Sequence, residues 1–300
     1  MNTLKFLCCF ICFLFVSNES YAQSSWATNR ALSDSFKDYW YNGEAEITSY
    51  QLEQARYGEI HEGTAVLIFV SEPFSAKEQV KVDEFSNEDV SVLKLNFEKK
   101  FNTGIYPYSM MTSSFLPIVE KNHLIKLTSS SQEWCGHTFM QLNNRENYEL
   151  KSYSYFQSEG DKNISLQKDL LEDELWSLIR IAPDEIPTGE VKLIPSFFYL
   201  RLRHIKIKSY QARINKEVNA VGNIQLIIDY PELDRVLNIE YERQFPYSIL
   251  SWEEKYVSGW GSSSELLTTK GTRMKVEKLD YWRRNKVKDG VLRTNLGLTP

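Results

Sequence analysis

The chain has 300 residues, a formal net charge of −5 and a pI near 5.6, with 42% hydrophobic and 13% aromatic residues. That acidic balance argues against the basic surface on which general nucleic-acid binding depends, and the apolar content excludes a disordered chain. The length suits one large β domain or two smaller ones.

The first 22 residues read as an export signal. Lys5 supplies the positive start, Phe6 to Val16 is unbroken apolar sequence, and Ser20-Tyr21-Ala22 places small residues at positions −3 and −1 of a cleavage site, leaving Gln23 first. The apolar run is too short to cross a hydrocarbon core of ~30 Å as a helix, so the expectation is a periplasmic or otherwise exported protein with no transmembrane segment after cleavage. Cys8, Cys9 and Cys12 lie inside the signal and follow no lipoprotein-type small-residue box. Cys135 is left alone in the mature chain, so no internal disulfide is expected. His61, His123, His137 and His204 lack ligand spacing, so no metal or other cofactor is expected.

Residues 23–43 read as a lead-in and 44–282 as a single β-rich domain. Period-two alternation or β-branched runs predict strands at Glu44 to Gln54, Thr64 to Val70 and Val90 to Phe97, where Ser91, Leu93, Leu95 and Phe97 face the core. Phe101 to Phe115, His123 to Ser129 and Glu133 to Leu142 follow as strands. Asn143-Asn144-Arg145-Glu146 then turns the chain into Tyr148 to Phe156. One helix is predicted near 169–182, capped by Asp169, with Leu171, Leu175, Leu178 and Ile179 on one face and Pro183 as its stop. The second half returns to strands at Val191 to Leu202, Ile205 to Ile214, Ile224 to Tyr230, Val236 to Phe245, Ser248 to Tyr256 and Thr272 to Tyr281. A phase break between Arg203 and Ile205 predicts a bulge or turn at His204. Residues 283–300 read as a basic tail. The expected fold is all-β, or β with one plug helix, its long antiparallel strands forming a curved sheet or open barrel.

Four stretches carry a resemblance over most of residues 40–282. They are Gln51 to Glu59, Lys99 to Met111, Gln132 to His137 and Pro195 to Arg201. In these the chain resembles an uncharacterised exported family of flavobacteria and their relatives, whose members often carry the label septum formation inhibitor Maf. Maf proteins themselves are cytosolic nucleotide pyrophosphatases with a Ser-x-Ser-Pro-Arg-Arg type motif. This chain has an export signal and lacks that motif, so pyrophosphatase activity is not expected. More distantly, the layout ending in Phe245 to Glu253 is similar to DUF3108-type envelope domains. The resemblance implies a β-rich envelope protein and no particular chemistry.

Two constellations are candidate sites. Tyr106, Tyr108, Met110 and Met111 with Trp134 pair flat rings with adaptable sulfur and could line a cavity for an apolar or lipid-like ligand; they read equally as ordinary core. Cys135 and His137 could be a nucleophile and its base, but on one strand their Cβ atoms stand roughly 6–7 Å apart, too far for direct activation. The competing reading is a buried, inert thiol. Residues 270–293 hold nine basic side chains against three acids, which suits lipid phosphates or a solvated tail. The expected function is therefore a non-enzymatic exported protein holding a hydrophobic ligand or an envelope partner, with a thiol-dependent hydrolase as the alternative.

Overall fold

The computed structural model describes residues 29–298, so the predicted export signal and the predicted cleavage after Ala22 lie outside the described residues. A short helix α1 (Asp34–Trp40) leads into a long meander: β1 (Ala45–Arg56), β2 (Glu59–Ser75), the small β3 (Val80–Lys81), β4 (Val90–Thr103), β5 (Tyr106–Pro117), β6 (Lys126–Glu133), β7 (Gly136–Asn144), β8 (Tyr148–Ser154) and β9 (Lys162–Leu166). After β10 (Leu170–Leu171) come α2 (Glu172–Ile181), β11 (Gly189–Ile194), α3 (Phe197–Arg203), β12 (Tyr210–Val218), β13 (Ile224–Tyr230), β14 (Arg235–Tyr241), β15 (Ile249–Ser258), β16 (Glu265–Leu279) and α4 (Val291–Asn295).

All 16 strands belong to one curved sheet that does not close. It runs β10-β11-β12-β13-β14-β15-β16-β1-β2-β4-β5-β6-β7-β8-β9, with β3 attached to β2. Every pairing is antiparallel except β10 with β11. The two outermost strands, β9 and β10, are consecutive in the chain. Leu166 ends one and Leu170 starts the other, so the two edges stand within about 14 Å. Strands spaced about 4.8 Å apart reach that only if the sheet curls almost fully around. The expected open barrel with its plug helix is the observed architecture.

The plug is α2, and all ten of its residues are buried. Its Trp176 packs on Phe97 of β4 and Trp252 of β15 at 5.0 and 5.5 Å between ring centroids, touching strands on both sides of β1 at once. Gly271 makes room for this stack, since a Cβ there would stand 2.2 Å from the Trp252 ring. Burial on all sides explains why the predicted apolar stripe is only part of the helix surface. The polar residues find partners inside: Glu172 takes Arg235 at 2.5 and 2.7 Å, Asp173 accepts from the Phe197 N–H at 2.9 Å, and Glu174 accepts from the Leu124 N–H at 2.9 Å. The cap differs from expectation. Leu171 occupies it, its N–H donating to Glu174, and Asp169 lies outside the helix.

Three further expectations are corrected. The stretch read as one strand from Val191 to Leu202 divides into β11 and the buried helix α3, capped by the Ser196 hydroxyl; of the bulge or turn expected at His204, the turn is found, as the helix's left-handed C-cap at φ 53°. The stretches from Phe101 to Phe115 and from Glu133 to Leu142 are each interrupted by a tight turn, at Gly104-Ile105 and at Trp134-Cys135. The basic tail is partly docked: Leu296 and Leu298 are buried against Ile47 and Val66 on the outside of the sheet, and the Ser49 hydroxyl donates to the Leu296 carbonyl at 2.5 Å.

Candidate functional site: an apolar cleft and its aromatic rim

The structure does not gather the five predicted ligand residues around one cavity. Tyr108 and Met110 point into the core, whereas Met111, one residue on, faces solvent on the other side of β5. Tyr106 is half-buried and Trp134 is exposed at the tip of the β6–β7 hairpin. Cys135 sits beside it, exposed rather than buried as the inert-thiol reading supposed. His137 begins the outward face of β7, and no hydrogen bond joins it to Cys135 among the described residues. The adjacent Glu133 carboxylate raises the Cys135 thiol above its ordinary pKa, the opposite of what a nucleophile requires.

Three of the five instead belong to a rim at one end of the barrel. Trp134 stacks on Tyr106 at 6.5 Å, and the Tyr106 hydroxyl donates to that of Tyr57 at 2.9 Å. Tyr57 packs on Trp260 at 5.7 Å, Trp260 on His204 at 6.1 Å, and His204 on Phe156 at 5.1 Å. Phe156 meets Tyr155 at 5.4 Å, and Tyr155 covers Gly136 so closely that a Cβ there would stand 2.4 Å from its ring, which returns the circuit to the Trp134 hairpin. Within this ring lie two buried guanidinium groups. Arg56 is 4.2 Å from the Tyr57 ring and donates to the Leu202 carbonyl at 2.5 Å, and Arg201 is 4.8 Å from the Phe156 ring. Tyr108 contributes its hydroxyl, 2.8 Å from that of Tyr57.

Just inside the rim, between the concave face of β7–β9 and α3 with the segment after it, runs a cleft of about 370 Å³. Met140, Ile164, Leu200, Ile205 and Ile207 give it apolar walls, and the exposed Lys162 and Lys206 stand at its mouth. Arg201 forms a polar boundary, donating to Thr138 Oγ1 at 2.9 Å and to Glu133 at 3.3 Å. A third donation reaches His204 Nε2 at 3.1 Å. Because arginine only donates, Nε2 is the acceptor; the ring proton is on Nδ1 and is given to Glu159 at 2.5 Å. Burial alone would raise the Glu159 carboxyl, but the His204 and Ser154 hydrogen bonds hold it below its usual range.

This arrangement leaves no activated nucleophile. The Ser154 hydroxyl is bonded to Glu159 rather than to His204, and both His204 nitrogens are occupied. Sequence reasoning missed the cleft because its walls come from β9, which carries no strand signal, and from Ile205 and Ile207, which follow a helix that reads as a strand. The alternation of Ile205 and Ile207 was the available signal. Among the described residues, no helix is long and apolar enough to cross a membrane. Comparison of the chain with family models, curated proteins and solved structures finds no match.

Proposed function

We propose that this chain is an exported, non-enzymatic binding protein for an amphiphile. The apolar part of the ligand occupies the β7–β9 and α3 cleft, and an anionic head lies against Lys162 and Lys206. The observation that carries this reading is the cleft itself: its volume falls in the range of small-molecule sites, and its walls are apolar with cationic groups at the mouth and at Arg201. The export signal read from the sequence supports the same reading, with cleavage after Ala22 as its N-terminal counterpart.

The test is titration of the purified chain from Gln23 onward with the fluorescent fatty acid dansylundecanoate. Saturable binding is expected, weakened about tenfold or more by Ile207→Glu, which places a charge in the apolar wall. Lys288→Glu in the tail leaves it unchanged. Absence of saturable binding by the parent chain, or equal binding by Ile207→Glu with its thermal midpoint intact, overturns the reading. Mass spectrometry of exported protein that begins at Met1 overturns the export component.

A further inference from the structure

We infer that the aromatic rim is a docking surface for a lipid bilayer, through which the cleft meets its ligand; this rests on the amphiphile reading above. The strand directions place the β1–β2, β4–β5, β6–β7, β8–β9 and β15–β16 connections at the same end of the barrel. Each presents one large apolar or aromatic side chain: Tyr57, Ile105, Trp134, Tyr155 and Trp260. Ile105 is 82% exposed, Trp134 68%, Tyr155 65% and Trp260 46%.

Charge is unevenly spread over this end. The connections 57–58, 104–105, 134–135 and 259–264 contain no charged residue, whereas β8–β9 carries Glu159 and Asp161 and β13–β14 carries Glu232 and Asp234. At the opposite end, the connection 82–89 alone carries Asp83, Glu84, Glu88 and Asp89, and Glu120-Lys121, Arg145-Glu146 and Glu242-Arg243 lie in its neighbours. Uncharged tips can leave water at little desolvation cost, which charged tips cannot. The apolar side chains stand on separate hairpins around a ring, not in one flat patch. A fluid interface closes around such separate wedges, whereas a rigid protein face needs a matching pocket for each. Tryptophan and tyrosine are also the residues that favour the boundary between lipid and water. Lys162 and Lys206, at the cleft mouth behind the rim, complement anionic head groups. The rim and cleft share Arg201, and the rim's His204 hydrogen-bonds both Arg201 and the cleft-lining Glu159, so a bilayer seated on the tips lies close to the ligand's entrance.

The experiment is co-sedimentation of the chain from Gln23 onward, which removes the apolar run Phe6 to Val16, with vesicles of equal parts phosphatidylcholine and phosphatidylglycerol. The parent chain is expected to sediment with them. Ile105→Ser combined with Trp134→Ser is expected to lower the partition about tenfold or more while leaving dansylundecanoate binding in solution unchanged. Lys286→Glu with Lys288→Glu in the tail keeps vesicle binding. A parent chain that binds the probe but does not sediment overturns the docking surface and leaves the cleft reading standing. Sedimentation unaffected by the two serine substitutions overturns it too, since the contact then lies elsewhere. Rim-dependent sedimentation without probe binding supports the docking surface and removes the cleft reading instead.

Discussion

Arg180, in the last turn of the plug helix, meets Glu46 of β1 with two parallel hydrogen bonds of 2.5 and 2.7 Å, and both side chains are buried. Arg180 also donates to the Pro246 carbonyl at 2.9 Å, and Tyr39 of α1 reaches the same carboxylate, so one pair ties two helices, the sheet and a loop together. Burial pushes the Glu46 carboxyl upward, but the guanidinium overcomes it and holds the group below its ordinary value. Arg180→Met leaves that carboxylate buried and uncompensated and is expected to cost about 3–5 kcal/mol. Adding Glu46→Leu to it recovers much of the loss. Denaturant midpoints of the two variants check this; a double variant no more stable than the single one contradicts it.

Asp173, in the first turn of the same helix, behaves in the opposite sense. Complete burial pushes its carboxyl up to about 7, with the charge of Glu172 adding to the rise and the Phe197 N–H opposing it. The folded state therefore holds this proton more tightly than the unfolded chain does. The stability so gained is complete below the ordinary value of 3.8 and lost as pH rises through about 7. Asp173→Asn is expected to flatten the fall in stability between pH 4 and pH 7, by a fraction of about 4 kcal/mol in unfolding free energy. Parallel melting curves for parent and variant across that interval count against the assignment.

Cys135 is exposed, yet the neighbouring Glu133 disfavours its thiolate. Its alkylation by iodoacetamide at neutral pH is expected to be no faster than that of glutathione. Cys135→Ser is expected to leave folding and ligand binding unchanged. Alkylation many times faster than the reference thiol restores the hydrolase alternative.

Trp134 and Trp252 separate surface from core. Trp134→Ala is expected to change stability by less than about 1 kcal/mol because its ring already faces solvent. Trp252, packed on Tyr50 at 4.8 Å and on Phe97 at 5.4 Å, is expected to cost about 3–5 kcal/mol on the same truncation. Equal losses at the two positions contradict the placement of Trp134.

What the sequence made legible follows from where solvent lies. Leu93, Leu95 and Phe97 alternate with residues facing outward, so period two located β4 and its inner face. On β1 the same rule weakens, because Ile47 on the outside is covered by Leu296 and Leu298 from the far end of the chain. Phe197 to Arg203 reads as a strand because aromatic residues favour strands locally; burial inside the barrel and the Ser196 cap decide for helix. The rim is assembled from residues between Tyr57 and Trp260 that only the folded sheet brings together. The block from Tyr106 to Met111 was visible as an aromatic–methionine cluster, but the sequence did not show that Met111 faces away from the interior.

The pairing of β1 with β16 sets the order in which this protein completes itself. Ala45 lies opposite Leu279 and Glu53 opposite Lys270, so the first long strand gains its second neighbour only from the last one. An emerging chain can zip β1 through β9 by local hairpins, yet one flank of β1 stays unpaired until more than two hundred further residues have followed. Until then β1 presents a twelve-residue open edge, a template for pairing with another chain. Truncation before Glu265 makes that state permanent and favours aggregates over a smaller soluble barrel.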